Sequence, residues 1–144
     1  MFNVSDADLT ALKQLTKLQS LVLGGTKVTV AGLKELKELK SLKSLSLNGT
    51  KIADAGLREL KGLTSLQSLE LHGTGVTDDG LKELKELNGL QSLILSSNPQ
   101  ITDAGLKELK GLISLQTLDL SRTNITDAGL KELNAALPGT KISK

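Results

Sequence analysis

The chain has 144 residues, a formal charge of +2 from 18 Lys and Arg against 16 Asp and Glu, and no Cys, Trp or Tyr. Its length allows a single domain, and the absence of cysteine excludes disulfides and thiolate metal sites. The near balance of charge does not favour nucleic acid or a membrane as a partner, and no apolar run reaches the roughly 20 residues that a membrane-spanning helix needs.

The first segment is half of a unit that recurs later in the chain. Residues 4–15, VSDADLTALKQL, match the helical half of that unit, so we expect a helix with no strand before it. Residues 1–17 are therefore predicted to form an N-terminal half-repeat cap, in which Phe2 covers the exposed leucine edge. The segment lacks the basic and apolar regions of a secretion signal, which predicts a cytoplasmic location if the chain is complete as given.

A repeated unit makes up most of the chain. Its pattern, LxxLxLxxTxITDAGLKELKxLxS, begins at Leu18, Leu42, Leu66, Leu90 and Leu115, so three steps are 24 residues long and the last is 25. Self-similarity at such a period is typical of a solenoid, in which neighbouring units cover each other's core. We assign the five units to residues 18–41, 42–65, 66–89, 90–114 and 115–137 of one domain that spans residues 1–144.

Within each unit the spacing of apolar residues changes from two to three. In the third unit Leu69 and Leu71 are two residues apart, which predicts a short strand whose Glu70 points outward. The leucines of residues 81–87 are three apart, with charged residues between them, and predict an amphipathic helix of about three turns. Because each unit has one strand, we expect the strands to pair in parallel with the helices on the outside.

The start of each predicted helix carries recurring polar residues and a glycine. Either Thr77 or Asp78 could cap the helix of the third unit, while other units favour Asp54 in one case and Thr29 in another. The aspartates are interpreted as caps that interact with the helix dipole, not as calcium ligands, because calcium needs six to eight surrounding oxygens. The recurring glycines are predicted to allow a close approach of neighbouring units, and they are Gly32, Gly56, Gly80, Gly105 and Gly129.

The chain closes with a second predicted cap. Pro138 and Gly139 stop the last helix, and residues 138–144 depart from the repeat. In this C-terminal cap, Ile142 is predicted to cover the last layer of the core.

Five LxxLxL copies in register, with VTDDGL at 76–81 and ITDAGL at 101–106 and 125–130, resemble the leucine-rich repeat family. They are similar to bacterial, planctomycete-type variants of its cysteine-containing subtype, with a different residue after the strand. Where a Cys or Asn is usual, this chain has Thr26, Thr50, Thr74, Asn98 and Thr123. The resemblance implies an α/β fold, a right-handed solenoid with parallel strands on its concave face and helices on its convex face. It also implies that this column of residues hydrogen-bonds to the backbone of adjacent turns.

Variation between the units is concentrated at the outward positions of the predicted strands, where a side chain has no part in the core. These positions are the predicted partner-binding surface: Val22, Ser46, Asn48, Glu70, His72, Ile94, Ser96, Asp119, Ser121 and Arg122. The surface has none of the Trp and Tyr that dominate the energetics of many interfaces. His72 is interpreted as an exposed polar residue and not as a catalytic base, because no nucleophile accompanies it.

These features favour a non-enzymatic scaffold that binds a protein partner through its concave face, with no cofactor and no metal ion. Neither nucleic acid nor a membrane is expected as a partner, and the sequence does not identify the protein partner. Two alternatives stay open, namely a designed, consensus or ancestral repeat protein with no selected ligand, and a solenoid that associates with itself. We expect a monomer, with weak self-association as the alternative.

Overall fold

Six three-residue strands, one from each turn of the chain, form a single parallel sheet in the order of the sequence. The computed structural model describes residues 4–144, and its strands are β1 (Ser20–Val22), β2 (Ser44–Ser46), β3 (Ser68–Glu70), β4 (Ser92–Ile94), β5 (Thr117–Asp119) and β6 (Lys141–Ser143). Their central residues are partners, as in the pairs of Leu45 with Leu69 and of Leu69 with Leu93. The predicted parallel sheet is confirmed, and the terminal segment adds a sixth strand that the sequence analysis did not predict.

Helical segments connect successive strands. The α-helices are α1 (Asp6–Leu12), α2 (Val30–Leu33), α3 (Ala53–Glu59), α4 (Asp78–Leu81), α5 (Asp103–Leu109) and α6 (Asp127–Ala136), and 3-10 helices follow α2 at Lys34–Glu38 and α4 at Lys82–Glu86. None of the helices found between residues 4 and 144 has the length and apolar character needed to cross a membrane.

The helix of the third unit differs from the predicted three α-helical turns. Its α-helix ends at Leu81, and a 3-10 helix continues to Glu86. A 3-10 helix has 3.0 residues per turn, so leucines spaced three apart stay on one side of it, whereas they drift around an α-helix of 3.6 residues per turn. The spacing of three is therefore compatible with the observed 3-10 geometry, but it does not determine it, since Leu106 and Leu109 have the same spacing within the α-helix α5.

The inward leucines form one continuous core along the stack. The inward residues of the second unit are each at most 1% exposed, and they are Leu42, Leu45, Leu47, Ile52, Leu57, Leu60 and Leu63. Each buried side chain of this size contributes roughly 1.5–3 kcal/mol, and only neighbouring units can cover both flanks of such a layer. Ile142 packs against this core, as predicted. Phe2 lies outside the described residues, so its covering role stays a prediction.

An aspartate at the start of one helical segment binds the threonine that begins the next. Asp54 Oδ1 accepts the backbone amide of Thr77 at 2.9 Å, and Asp54 Oδ2 accepts the Thr77 hydroxyl at 2.7 Å. We call this pair of bonds an Asp–Thr clamp. The same clamp joins Asp6 to Thr29, Asp78 to Thr102 and Asp103 to Thr126.

The clamps correct the interpretation of the aspartates as helix caps. The residues whose hydroxyl caps a helix by accepting a backbone amide are Thr29, Thr77, Thr102 and Thr126. The prediction that Thr29 caps its helix is thus confirmed. In the third unit, Thr77 rather than Asp78 caps the helix. The prediction that Asp54 caps α3 is wrong, because its carboxylate binds Thr77 and the N-cap of α3 is Ile52.

The recurring glycine makes room for the clamp. A Cβ atom added to Gly80 would lie 2.1 Å from Asp54 Oδ1, so any side chain there would displace the carboxylate. The other glycines that face an aspartate in this way are Gly32, Gly105 and Gly129. The predicted close approach is confirmed at these positions, and its cause is the clamp. Gly56 differs, since a Cβ there would collide with Ile52 of its own unit.

One seam of the stack, between the first and second units, has no clamp. The aspartate position is occupied by Val30 and the threonine position by Ala53. Ala53 also has a φ of 44°, a left-handed conformation that is unusual for alanine. A depression of about 290 Å³ lies beside this seam, lined by Thr26, Lys27, Val28, Thr29, Gly49 and Lys51. The first two units are therefore joined without a clamp, by core contacts, by strand pairing and by a hydrogen bond of 3.2 Å from Lys40 Nζ to the carbonyl of Gly62.

At each end of the stack, the residue that occupies a clamp position forms hydrogen bonds with a nearby residue of the chain instead. Near the N-terminus Ser5 occupies the threonine position, and its amide and hydroxyl each donate to Asp8 Oδ2 at 2.8 Å. Near the C-terminus Asp127 occupies the aspartate position but has no threonine partner within the described residues, and it accepts a hydrogen bond from Lys144 at 2.5 Å. Neither end group therefore needs another unit to complete its hydrogen bonds.

Acid should weaken the clamps of Asp6 and Asp103. Hydrogen bonds from the side chain and then the backbone of Thr29 lower the pKa of Asp6, and those of Thr126 lower the pKa of Asp103. A carboxyl whose pKa is lowered on folding stabilises the protein above its ordinary pKa of about 3.9, and this stabilisation is lost as the pH falls through the lower folded value. We expect the melting temperature to drop below about pH 4.

Thermal unfolding followed by circular dichroism from about pH 2 to pH 7 checks this expectation. Asp103→Asn keeps the shape of the side chain and removes its titration. The variant should melt at a lower temperature than the wild type at neutral pH and show a smaller further decrease in acid. An equal decrease in both proteins would contradict a role of Asp103 in the acid response.

The threonine after each strand bonds to its own turn. The Thr50 hydroxyl donates to the carbonyl of Leu47, three residues earlier, at 2.6 Å. Threonines that make the same bond are Thr26, Thr74 and Thr123. The expectation that these threonines bridge adjacent turns is therefore wrong, because each hydroxyl is used within its own turn.

Asn98 is the member of this column that does bridge two turns. Its Oδ1 accepts the three consecutive backbone amides of residues 74–76, at 3.1, 2.9 and 3.2 Å. Its Nδ2 donates to the carbonyl of Leu71 at 2.9 Å and to that of Leu95 at 2.8 Å. The residue is 0% exposed, so these backbone groups depend on Asn98 where water has no access.

Candidate interaction surface

The sheet register arranges the predicted surface residues in rows across the concave face. Successive partners across the six strands form the first row, which holds Val22, Ser46, Glu70, Ile94, Asp119 and Ser143. The second row follows the ends of the strands and holds Asn48, His72, Ser96 and Ser121. Arg122 lies in the turn beyond β5. The structure thus brings the predicted residues of each row next to one another.

Hydrogen bonds fix the side chains at the centre of the concave face. Asn48 Nδ2 donates to Glu70 Oε2 at 2.7 Å, and Asn48 Oδ1 accepts the backbone amide of His72 at 2.9 Å. His72 Nδ1 lies 3.0 Å from Ser96 Oγ, a hydrogen-bonding distance. Side chains that are already held in place lose less conformational entropy when a partner binds.

Ser96 stands between His72 and Asp119, which is not the order of a hydrolase triad. In a triad the histidine lies between the serine and the carboxylate, so that it can accept the hydroxyl proton. Here Ser96 Oγ is within hydrogen-bonding distance of His72 Nδ1, Ser96 contributes to the lowered pKa of Asp119, and it is 7% exposed. The arrangement orients side chains and leaves no activated nucleophile. Elsewhere in residues 4–144, no three His, Asp or Glu side chains are grouped to hold a metal ion.

The Asp119 carboxylate is surrounded by serines. Its Oδ1 accepts the amide and the hydroxyl of Ser121 at 2.9 and 2.6 Å and the hydroxyl of Ser143 at 3.3 Å. Burial alone would raise the pKa of Asp119, but these hydrogen bonds and one from Ser96 outweigh it, so the pKa lies below its ordinary value. The charge is therefore present at neutral pH and is stabilised by groups of the protein itself.

The turn after each of the first five strands contains a residue in the left-handed conformation. In the first three units this residue is Gly25, Gly49 or Gly73, with φ between 60° and 68°. In the next two units it is Ser97 and Arg122, each with φ of 58°. This conformation is disfavoured by about 1–2 kcal/mol for residues other than glycine. The backbone therefore favours glycine at the position that Arg122 occupies.

Two cations of the concave face have no ionic partner. The ion pairs found within residues 4–144 involve charges of the helical segments and the C-terminal residue, and none includes Arg122 or Lys141. Lys141 is opposite Thr117 in the sheet, and Arg122 follows Thr117 by five residues. At about 3.3 Å per residue, the two backbone positions are roughly 15 Å apart along the strand direction.

A shallow depression of about 230 Å³ lies across β4, β5 and β6. Its lining residues are Ser92, Leu93, Ile94, Thr117, Leu118, Asp119, Lys141 and Ser143. Ile94 is partly exposed here, whereas the leucine side chains point into the core. Ile94 and Asp119 belong to the predicted surface, whereas Lys141 and Ser143 do not, because residues 138–144 were predicted to form a cap. An alignment of TKIS with QTLD in the preceding unit would have revealed both.

Three large apolar side chains are exposed among the described residues, and besides Leu15, at 49%, two project further. Val22 is 72% exposed at the N-terminal end of the concave face, and Ile113 is 81% exposed in the turn before β5. Val22 was predicted as a surface residue, but Ile113 was not. The sequence does contain a sign that Ile113 is exposed. The equivalent positions of the other units are polar, and they hold Lys40, Thr64 and Asn88.

Comparisons with known proteins agree with this geometry. A family model described as Leucine Rich repeat matches residues 38–61, 62–85, 88–110 and 111–133. Among solved structures, the chain is similar to an internalin C2 from Listeria monocytogenes, with 26% identity and a TM-score of 0.69 over 97% of this chain and 66% of that chain. A second internalin from the same species is 23% identical, with a TM-score of 0.46 over 94% of this chain and 50% of that chain. A search of the curated proteins found no match.

Proposed function

Because the chain belongs to the leucine-rich repeat family, whose repeats generally mediate protein–protein interaction, we propose that it binds a protein partner through its concave face. Its membership confirms the predicted family and solenoid fold, and it agrees with the prediction of a non-enzymatic scaffold. The chain spans 66% of internalin C2 and half of the second internalin, so the partner is proposed from the residues of this chain alone.

The observation that carries the proposal is the set of ordered, varied side chains at the centre of the concave face. Core positions repeat from unit to unit, whereas the first row changes from Val22 through Glu70 to Asp119. Hydrogen bonds among Asn48, Glu70 and neighbouring residues hold polar groups toward a partner instead of leaving them mobile. A surface that is varied in chemistry and fixed in geometry is suited to recognise one partner over others.

Replacing four concave side chains should abolish capture of the partner. The chain is immobilised, partners are recovered from a lysate of the source cells, and the recovered protein is purified for affinity measurements. The concave variant carries Glu70→Ala, His72→Ala, Asp119→Ala and Arg122→Ala. We expect its dissociation constant to rise at least about tenfold, because interface side chains that matter contribute more than about 1 kcal/mol each.

A matched variant on the opposite side controls for the number and charge of the substitutions. It replaces two acids, one base and one neutral residue that are all exposed in the helical segments, namely Glu38, Glu86, Lys107 and Asn134, with alanine. This variant should bind as the wild type does, and both variants should melt cooperatively. Unchanged affinity of the concave variant, or equal loss in both variants, would contradict the proposed surface.

The alternatives of a designed or ancestral protein without a ligand and of a self-associating solenoid remain predictions, as do the bacterial origin, the cytoplasmic location and the monomeric state. Light scattering at high protein concentration separates a 15.2 kDa monomer from an oligomer. We expect the monomer, because the end groups Ser5 and Asp127 already have hydrogen-bond partners within the chain.

A further inference from the structure

We propose that the C-terminal half of the concave face recognises an acidic segment of the partner, in which an apolar side chain lies between two carboxylates. The inference rests on the proposed function and specifies the chemistry of the partner. The recognising groups are Arg122, Lys141 and the partly exposed Ile94.

Charge complementarity is the first reason. Arg122 and Lys141 are exposed and have no ionic partner within residues 4–144. The carboxylates nearby accept hydrogen bonds from neutral groups, Asp119 from serines and Glu70 from Asn48, and on the concave side of β4–β6 the two cations outnumber the single carboxylate of Asp119. The cations are therefore the groups that can gain ionic hydrogen bonds from a partner, and those bonds are stronger than neutral ones when they are shielded from water.

The backbone conformation of Arg122 is the second reason. Its φ of 58° is shared with Gly25, Gly49 and Gly73 at the same position of other units, so glycine would be the more stable residue. Within residues 4–144 the Arg122 side chain makes no hydrogen bond or ion pair that would offset this strain. Strained residues concentrate at binding sites, where the surrounding structure holds them in place.

The depression between β4 and β6 supplies the apolar component. It has a volume of about 230 Å³ and presents Ile94 within a wall of hydroxyl groups, with Lys141 at one end. Lys141 and Arg122 are roughly 15 Å apart along the strands, which an extended segment of about five residues spans. A carboxylate at each end of such a segment can reach a cation while a central apolar side chain contacts Ile94.

Peptide binding followed by nuclear magnetic resonance tests the inference. The probe is acetyl-Gly-Glu-Ser-Leu-Ser-Glu-Gly-amide, added at millimolar concentration to the ¹⁵N-labelled chain. We expect shifts of the amides of Ile94, Asp119, Arg122 and Ser143. Two control peptides replace both glutamates with glutamine or the leucine with serine, and each should bind at least about tenfold more weakly. Equal binding of either control peptide, or no shifts in these residues, would overturn the inference.

A pair of glycine variants separates binding from folding. Arg122→Gly should raise the melting temperature, because glycine tolerates the left-handed conformation, and raise the dissociation constant of the probe at least about tenfold. Ser97→Gly relieves the same strain in the preceding unit and should raise the melting temperature without changing the affinity. Wild-type affinity in the Arg122→Gly variant would contradict the role of this side chain.

Failure of this inference can be distinguished from failure of the proposed function. If the concave variant no longer binds the natural partner but the acidic probe does not bind the wild type, the proposed surface is supported. Only the proposal of an acidic partner segment is then wrong. If the concave variant retains the partner, the proposed surface itself is wrong.

Discussion

Asn98→Ala should lower the free energy of unfolding by about 3–5 kcal/mol, because it leaves several buried backbone groups without partners. Asn98 Oδ1 accepts three amides of residues 74–76, and Nδ2 donates to the carbonyls of Leu71 and Leu95. A buried polar group that loses its partner destabilises a protein by about 1–3 kcal/mol, and these groups belong to two different turns. The alanine methyl can replace none of these bonds.

Urea unfolding followed by far-ultraviolet circular dichroism measures this effect. Thr50→Ala is the matched control in the same column, and its loss of one bond to Leu47 should lower the stability by only about 1 kcal/mol. Asn98→Thr should fall between the two, since threonine can bond within its own turn but does not reach the amides of residues 74–76. An Asn98→Ala variant no less stable than Thr50→Ala would refute the bridging role.

Completing the missing clamp should stabilise the stack by about 1–2 kcal/mol. The double variant Val30→Asp with Ala53→Thr places both partners of the clamp at the seam between the first two units. The glycine that this clamp needs is already present as Gly56. The new threonine can also leave the left-handed conformation of Ala53, since the capping threonines have φ between −84° and −125°.

A double-mutant cycle isolates the clamp from the effects of each substitution. Val30→Asp alone should change the stability little, because the aspartate is at a helix start and partly exposed. Ala53→Thr alone should destabilise the protein by about 1 kcal/mol, because a β-branched residue fits the left-handed conformation poorly. We expect a favourable coupling between the two of about 2–3 kcal/mol, which leaves the double variant about 1–2 kcal/mol more stable than the wild type. Additive effects would rule out a clamp at this seam.

The fold was predictable because its determinants repeat within a short window of sequence. The inward leucines follow from a spacing of two and then three, and the parallel pairing follows from one strand per unit. The clamp was not predictable in the same way, since a Thr-Asp pair such as Thr77 and Asp78 has the local pattern of a helix cap. The partner of Asp78 is Thr102, 24 residues later, and only the stacking of units places them together.

The sequence was enough to predict which residues form the rows of the candidate site, but not which of its charged side chains lack an ionic partner. The outward positions from Val22 to Asp119 follow from alternation along the strands. Whether Arg122 and Lys141 are free to pair with a partner depends on which carboxylates of the chain already form ion pairs or hydrogen bonds. That in turn depends on side-chain geometry, which the sequence does not show. The left-handed conformation of Arg122 had a signal in the sequence, since three of the five residues in its column are glycine.

The Asp–Thr clamp determines how this stack can gain a unit. Ser5 bonds to Asp8, and Asp127 bonds to Lys144, so a second molecule placed at either end finds no vacant clamp. A duplicate of residues 66–89 inserted after itself would instead offer a threonine to the aspartate before it and an aspartate to the threonine after it. The architecture is thus open to growth by duplication of a whole unit between existing units.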